Sequence, residues 1–238
     1  MSPEAIATAL VERMGKGSLI LEEQDISEIE AKLLDSKERL VPVKSEIIHQ
    51  FPRTAIRLFC HQYGFYSLPT LELLHFLSTH IEDRTKTLEI GAGNGVYGRH
   101  LGIRMIDNFQ QHPKNDKKYG GSASMYALTG QPTVRYGTDV EEIDANAAIA
   151  KYKPEVVVAS WVTHKFDNRF PERGGNMFGV DFERIANSGY VKKLILVGNK
   201  VVHEHSPLME LPHQEFYSSH ICSRATYPAE DRVFIWEF

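Results

Sequence analysis

The chain lacks most of what would place it in a specialised class. It has two cysteines in 238 residues, Cys60 and Cys222, too few for a disulfide framework or a four-cysteine zinc site. No apolar run approaches the roughly 18 residues of a membrane span; the tight ones are short, such as Val156-Val157-Val158-Ala159. Basic residues are not in excess. The 27 Lys and Arg stand against 31 Asp and Glu, for a net charge of −4, which excludes a coat-like nucleic-acid binder and leaves only a local basic patch. There is no internal repeat and no low-complexity tract. Met1-Ser2-Pro3-Glu4 carries no charged segment ahead of an apolar one, so no signal peptide is expected. With 42% hydrophobic and 24% charged residues, wholesale disorder is excluded. The expectation is a cytoplasmic protein with one main core and no membrane association.

What is present divides at about residue 62. Residues 1–40 carry apolar residues at helical spacing, first Ile6, Leu10 and Met14, then Ile26, Ile29, Leu33 and Leu34, separated by Gly15-Lys16-Gly17. This predicts two amphipathic helices, read as a helical cap over 1–62 or as an arm pairing two chains into a homodimer. From residue 63 onward, Thr70 is a candidate helix N-cap. Short strand-like runs then alternate with helical segments: 87–90, 103–106, 133–136, 156–159, 194–197 and 232–236. A helix is predicted over 141–152 and another over 181–189, opened by Asp181 and closed by Gly189. Continuous apolar strands alternating with helices predict an α/β fold, a parallel sheet covered on both faces. Ligands of such sheets sit at the carboxyl ends of the strands.

The most informative segment is Leu88-Glu89-Ile90-Gly91-Ala92-Gly93-Asn94-Gly95. Glycines let the backbone turn sharply beside a ligand, and the helix that follows offers free N–H groups. Gly93, Gly95 and Gly98 also satisfy the dinucleotide spacing G-x-G-x-x-G, so the loop alone is ambiguous. Glu89, at the strand end, repels pyrophosphate and attracts an ammonium group, which favours a ligand with an amino-acid moiety.

The segment Glu89-Ile90-Gly91-Ala92-Gly93-Asn94-Gly95 resembles the first motif of the class I S-adenosylmethionine-dependent methyltransferases, and the resemblance runs in order over residues 63–238. It implies a seven-stranded, mostly parallel Rossmann-like sheet whose last two strands, at about 216–224 and 231–237, form an antiparallel hairpin. It implies S-adenosylmethionine as cofactor. Asp107 then matches the ribose-binding acid, Asp139 with Val140 the adenine site, and Ser160-Trp161 the fourth motif facing the methyl group. Tyr66, Pro69 and Thr70 match the segment that closes over the cofactor.

For the reacting end, Ser160-Trp161-Val162 lacks the paired prolines of amino-methylating DNA enzymes, and neither cysteine follows a proline as a cytosine-attacking nucleophile would. His164, just past the fourth strand, is the candidate general base, with Asp167 to orient it. Asn199, Arg169 and His203 are candidate substrate contacts. His203, His205 and His213 follow the fifth strand at no zinc-like spacing, so no metal is assigned. The functional expectation is methyl transfer to O or N of a small molecule. The alternatives are a nucleic-acid acceptor, met through the basic 112–118 segment, and a non-catalytic binding protein that keeps the cofactor fold.

Overall fold

The structure, a computed structural model, describes residues 24–128, 130 and 132–238. Its strands are β1 (Ser67–Leu68), β2 (Thr87–Ile90), β3 (Arg104–Asp107), β4 (Glu141–Glu142), β5 (Val156–Ser160), β6 (Lys193–Asn199), β7 (Gln214–Tyr217), β8 (Cys222–Ser223) and β9 (Asp231–Glu237). Its helices are α1 (Ser27–Leu33), α2 (Ser45–Ile48), α3 (Arg53–Tyr63), α4 (Leu71–Thr79), α5 (Val96–Leu101), α6 (Ser122–Leu128), α7 (Ala145–Tyr152), α8 (Phe182–Ala186) and α9 (Lys200–His203). Seven strands form one sheet in the order β4-β3-β2-β5-β6-β9-β7. Neighbours are parallel up to β6, and β9 runs antiparallel to both β6 and β7. This is the mostly parallel, seven-stranded α/β sheet that the sequence implies.

The central strands are apolar throughout because both faces are covered. In β5, Val156 and Val158 face the cluster that holds Ile29, Leu33, Phe59 and Leu77. Val157 and Ala159 face the opposite cluster, with Ala148, Ile185 and Trp236. Successive side chains of a strand point to opposite faces, so a run of four apolar residues fills two cores at once. Helix α1 lays Ile29 and Leu33, each 1% exposed, into the first of these clusters, so the described part of the N-terminal region packs as a cap on the sheet. Ile6, Leu10 and Met14 lie outside the described residues. No helix among the described residues is long and apolar enough to cross a membrane.

Several element boundaries differ from the sequence reading, among them the helix opened by Asp181, which ends at Ala186 rather than at Gly189. Residues 133–136 are not a strand. Tyr136 instead stacks on Phe109 with ring centroids 4.1 Å apart, and Val134 N donates to Gln111 Oε1 at 2.9 Å. The strand lies later, at Glu141–Glu142, so the helix predicted from 141 begins at Ala145 behind the N-cap Asp144. The penultimate strand is also shorter than 216–224: Gln214–Tyr217 joins the main sheet, while Cys222–Ser223 leaves it to pair with β1.

Candidate functional site

The sheet order changes direction between β2 and β5. From β2 the chain moves outward to β3 and β4, and from β5 it moves the other way to β6. Such a switch point opens a crevice at the carboxyl ends of the strands, and a cavity of about 300 Å³ lies there.

The floor of the cavity is β2 and the glycine loop. Glu89 is 1% exposed, and its Oε2 accepts from Gly98 N at 2.8 Å. Burial pushes its carboxyl up to about 8, and the neighbouring Asp107 pushes the same way. Gly98 makes this arrangement sterically feasible. A Cβ there would lie 2.4 Å from Met105 Cγ and 2.5 Å from Glu89 Oε2. Gly91 is constrained in the same way: its φ is +61°, and a Cβ would meet Val162 Cγ2 at 2.5 Å.

Asp107 is the last residue of β3. Its Oδ2 accepts from Gly93 N at 3.0 Å and its Oδ1 from Phe109 N at 2.9 Å. It therefore ties the glycine loop to the next strand while its carboxyl borders the cavity. Burial raises its pKa above the ordinary aspartate value, and the N–H donors oppose that rise. A third carboxyl, Asp144, caps α7 by accepting from Asn146 N at 2.9 Å and Ala147 N at 3.2 Å, and it also lines the cavity. Among the described residues, no Lys, Arg or His lines the cavity.

The upper walls are aromatic and amide. Tyr66 and Tyr126 place their hydroxyls 3.4 Å apart, Gln111 Nε2 donates to Tyr66 at 3.4 Å, and Phe178 and Trp161 close the opposite side. Trp161 has φ +60°, a costly conformation for a bulky residue. It is held there by Trp161 N donating to Val197 O at 2.8 Å. Its indole Nε1 is buried with no hydrogen-bond partner among the described residues, and the same holds for Gln110 Oε1. Both residues line the cavity.

Of the residues singled out from sequence, Tyr66, Glu89, Gly91, Ala92, Gly93, Asn94, Asp107, Ser160 and Trp161 meet in this cavity. The others do not line it. Asp139 is taken up by Arg99, with Nε–Oδ2 at 2.8 Å and Nη2–Oδ1 at 2.7 Å. The same Nη2 donates to Asn94 O, so Asp139 braces the glycine loop from outside. Gly95 and Val140 pack beneath the loop, where a Cβ on Gly95 would lie 2.9 Å from Val140 Cγ2. Thr70 caps α4 and donates to His220 O at 2.7 Å, and Pro69 is buried beside it.

His164 is buried, and its Nε2 donates to Arg173 O at 3.0 Å. The ring borders a separate cavity with Asp167 and Arg169. Asp167 there is paired with Arg169 at 2.7 Å, so it does not orient His164, and neither residue reaches the main cavity. Asn199 is 3% exposed and bonds Asp231 Oδ1 at 2.8 Å and Tyr227 O at 2.7 Å. His203 is 2% exposed, and burial pushes its imidazole down to about 4. His205 sits on the surface beside Glu204, and His213 donates to Leu211 O. Among the described residues, no three His, Cys, Asp or Glu are grouped to hold a metal ion.

The sequence reading missed Asp144, Gln111, Tyr126 and Tyr136, all of which line the cavity; Phe178 arrives from the 165–180 loop, whose arginines and glycines read as a substrate cover. Asp144 carried a usable signal: an Asp immediately before Ala145-Asn146-Ala147-Ala148 is an N-cap pattern. Tyr126 and Tyr136 carried none, because they arrive from the connection between β3 and β4.

No protein-family model matches the chain, and no curated protein matches it significantly. Similar solved structures include a SAM-dependent methyltransferase from Agrobacterium tumefaciens, with 13% identity over 70% of this chain and 60% of that one and a TM-score of 0.34. An rRNA methylase from Streptococcus thermophilus is similar at 11% identity, over 70% of this chain and 95% of that one, with a TM-score of 0.37. The human methyltransferase 10 domain containing protein is similar at 12% identity, over 78% and 96%, with a TM-score of 0.36.

Proposed function

We propose that the protein is an S-adenosylmethionine-dependent methyltransferase whose cofactor lies in the cavity at the carboxyl ends of β2, β3 and β5. The observation that carries this reading is the acidic lining: three carboxyls, Glu89, Asp107 and Asp144, the first of which ionises only near pH 8 or as a cation binds, and no basic side chain among the described residues. Such a lining repels the pyrophosphate of a dinucleotide and suits a ligand bearing an ammonium and a sulfonium. Glu89 would hold the ammonium, Asp107 the ribose hydroxyls, and Asp144 the adenine amino group, the place that sequence resemblance assigns to Asp139. The orphaned Trp161 Nε1 and Gln110 Oε1 fit a ligand that brings its own acceptor and donor.

Bound there, the cofactor supplies a methyl group on a positively charged sulfur. The chain's residues then contribute mainly by binding, orientation and exclusion of water. Tyr66, Trp161 and Phe178 wall the mouth, and the acceptor enters between them. His164, turned into the other cavity, is not the base.

Calorimetric titration at pH 8 should show micromolar binding of S-adenosylmethionine and S-adenosylhomocysteine and none of NAD. Binding of NAD alone by folded protein would overturn the assignment. Gly98→Ala is a stricter check on Glu89. The added methyl collides with the carboxylate and with Met105. Overpacking of this kind costs roughly 1–3 kcal/mol, partly offset by the roughly 1 kcal/mol helix preference of Ala over Gly. The variant should be modestly less stable in urea, yet lose at least about tenfold in cofactor affinity, the equivalent of roughly 1.4 kcal/mol. Unchanged affinity would mean that Glu89 does not touch the ligand.

A further inference from the structure

We propose that one face of α3, continued by Arg224, is a docking track for the phosphates of a single-stranded oligonucleotide whose base reaches the cavity past Tyr66. This rests on the reading of the cavity as a methyl-transfer site and names its acceptor.

Arg53, Arg57 and His61 recur at four-residue spacing and so share one face of α3. Arg53 Nη2 donates to Ala225 O, which brings the start of the helix against the residue after Arg224. The guanidinium of Arg224 lies 4.1 Å from the centre of the Tyr66 ring, and Arg224 N donates to Tyr66 O at 3.1 Å. Tyr66 lines the cavity. The arginines therefore lead from the surface toward the mouth of the site, with His61 between them as a neutral ring, because burial and the nearby Arg224 both lower its pKa.

These charges are uncompensated. Arg39, Arg99, Arg135, Arg169, Arg173 and Arg232 each sit on a carboxylate. Arg53, Arg57 and Arg224 make no ion pair among the described residues, and Arg224 Nη1 is buried with no hydrogen-bond partner. Arg57 is half-buried beside Arg53, and burial and that like charge both hold its pKa down. The carboxyl that senses Arg53, Asp231, is 1% exposed and already bonded by Ser223 Oγ at 2.6 Å and Asn199 Nδ2 at 2.8 Å. Crowding unpaired arginines is costly unless an anion joins them. The basic 112–118 segment is a poorer candidate, because Lys114 is paired with Glu142 at 2.6 Å.

Arg53 and Arg57 lie about 6 Å apart along the helix at 1.5 Å per residue, and Arg224 carries the track on to Tyr66. Its inner end is aromatic, with Tyr66, Tyr126 and Trp161 offering faces on which a base can stack. A base that enters a cavity must leave any duplex stack, hence a single strand. The net charge of −4 excludes a coat, not a track.

The test uses the whole chain with fluorescently labelled 12-mers of oligouridylate and oligothymidylate, followed by anisotropy from 50 to 300 mM salt. Binding of at least one strand should weaken linearly on a log–log plot. Arg57→Gln and Arg224→Gln should each lower the slope by about 0.7 and weaken binding several-fold at low salt. Lys192→Gln, at the opposite end of β6 beside Glu155, should leave binding unchanged. Calorimetry with S-adenosylhomocysteine should be unaltered in Arg57→Gln and Lys192→Gln, neither of which touches the cavity wall, so loss of the track is told apart from failure of the cofactor site. No salt-dependent binding of either strand overturns the proposal. So does indifference to both arginine changes, stronger binding of the matching duplex, or equal competition by uridine monophosphate.

Discussion

Glu89→Gln should raise the melting temperature at pH 8 while abolishing cofactor binding. A glutamate titrates near 4.5 when free and near 8 in this fold. Below about pH 4.5 it is protonated in both states and costs nothing. As the pH rises, the unfolded chain releases the proton while the folded chain keeps it, so folding loses stability through that window. Above pH 8 the whole penalty is present, at most about 5 kcal/mol, and relaxation of the buried site leaves a few. Glutamine keeps an acceptor for Gly98 N and removes the charge. At about 2–4 °C per kcal/mol for a chain of this size, the gain at pH 8 should be on the order of 5–10 °C, and most of it should vanish by pH 5. The same substitution removes the partner of the ligand's ammonium. In the wild type, cofactor affinity should climb with pH up to about 8, and binding at pH 7 should release nearly one proton, seen as a buffer-dependent heat. Thermal melts at the two pH values, with calorimetry alongside, decide the matter. A variant no more stable at pH 8, or one that still binds, would remove Glu89 from the role given to it.

Asp107→Ala should act in the opposite direction on stability and in the same direction on binding. Its carboxylate satisfies two backbone donors, Gly93 N and Phe109 N, and the side chain is 9% exposed. Each donor left without a partner costs roughly 1–3 kcal/mol. Removing a carboxyl that burial already disfavours returns part of this, for a net loss of about 2–3 kcal/mol. Gly93 would also lose its tether to β3, and the glycine loop would no longer be held at the height the ligand requires. Asp107→Asn keeps one carbonyl acceptor and should fall between the two in urea denaturation. An alanine variant as stable as the wild type would show that the two donors find other partners.

The sequence by itself determined what is encoded within a few consecutive residues. The runs at 156–159 and 194–197, the glycines after Ile90, and the caps at Thr70 and Asp181 are all where the pattern places them, since strand burial, positive φ and N-capping are set by local chemistry. Glu89 and Asp107 were legible for the same reason, because they sit at the last two positions of strands whose apolar runs are visible. Tertiary structure alone decided the rest. β4 is two glutamates at the edge of the sheet, and such a strand leaves no apolar trace. The alternating stretch 133–136 resembles a strand until Tyr136 is seen stacked on Phe109. Asp139 is taken up by Arg99, and Asp144 is the carboxyl that borders the cavity. His164, Asn199 and His203 lie at the strand ends where chemistry is sought, yet each turns into packing or into another cavity. Tyr126, Phe178 and Arg224 reach the site or its mouth from segments far apart in the chain. Which way a side chain points at a strand end depends on contacts with other segments of the chain, and a periodicity of two or of 3.6 carries no information about those contacts.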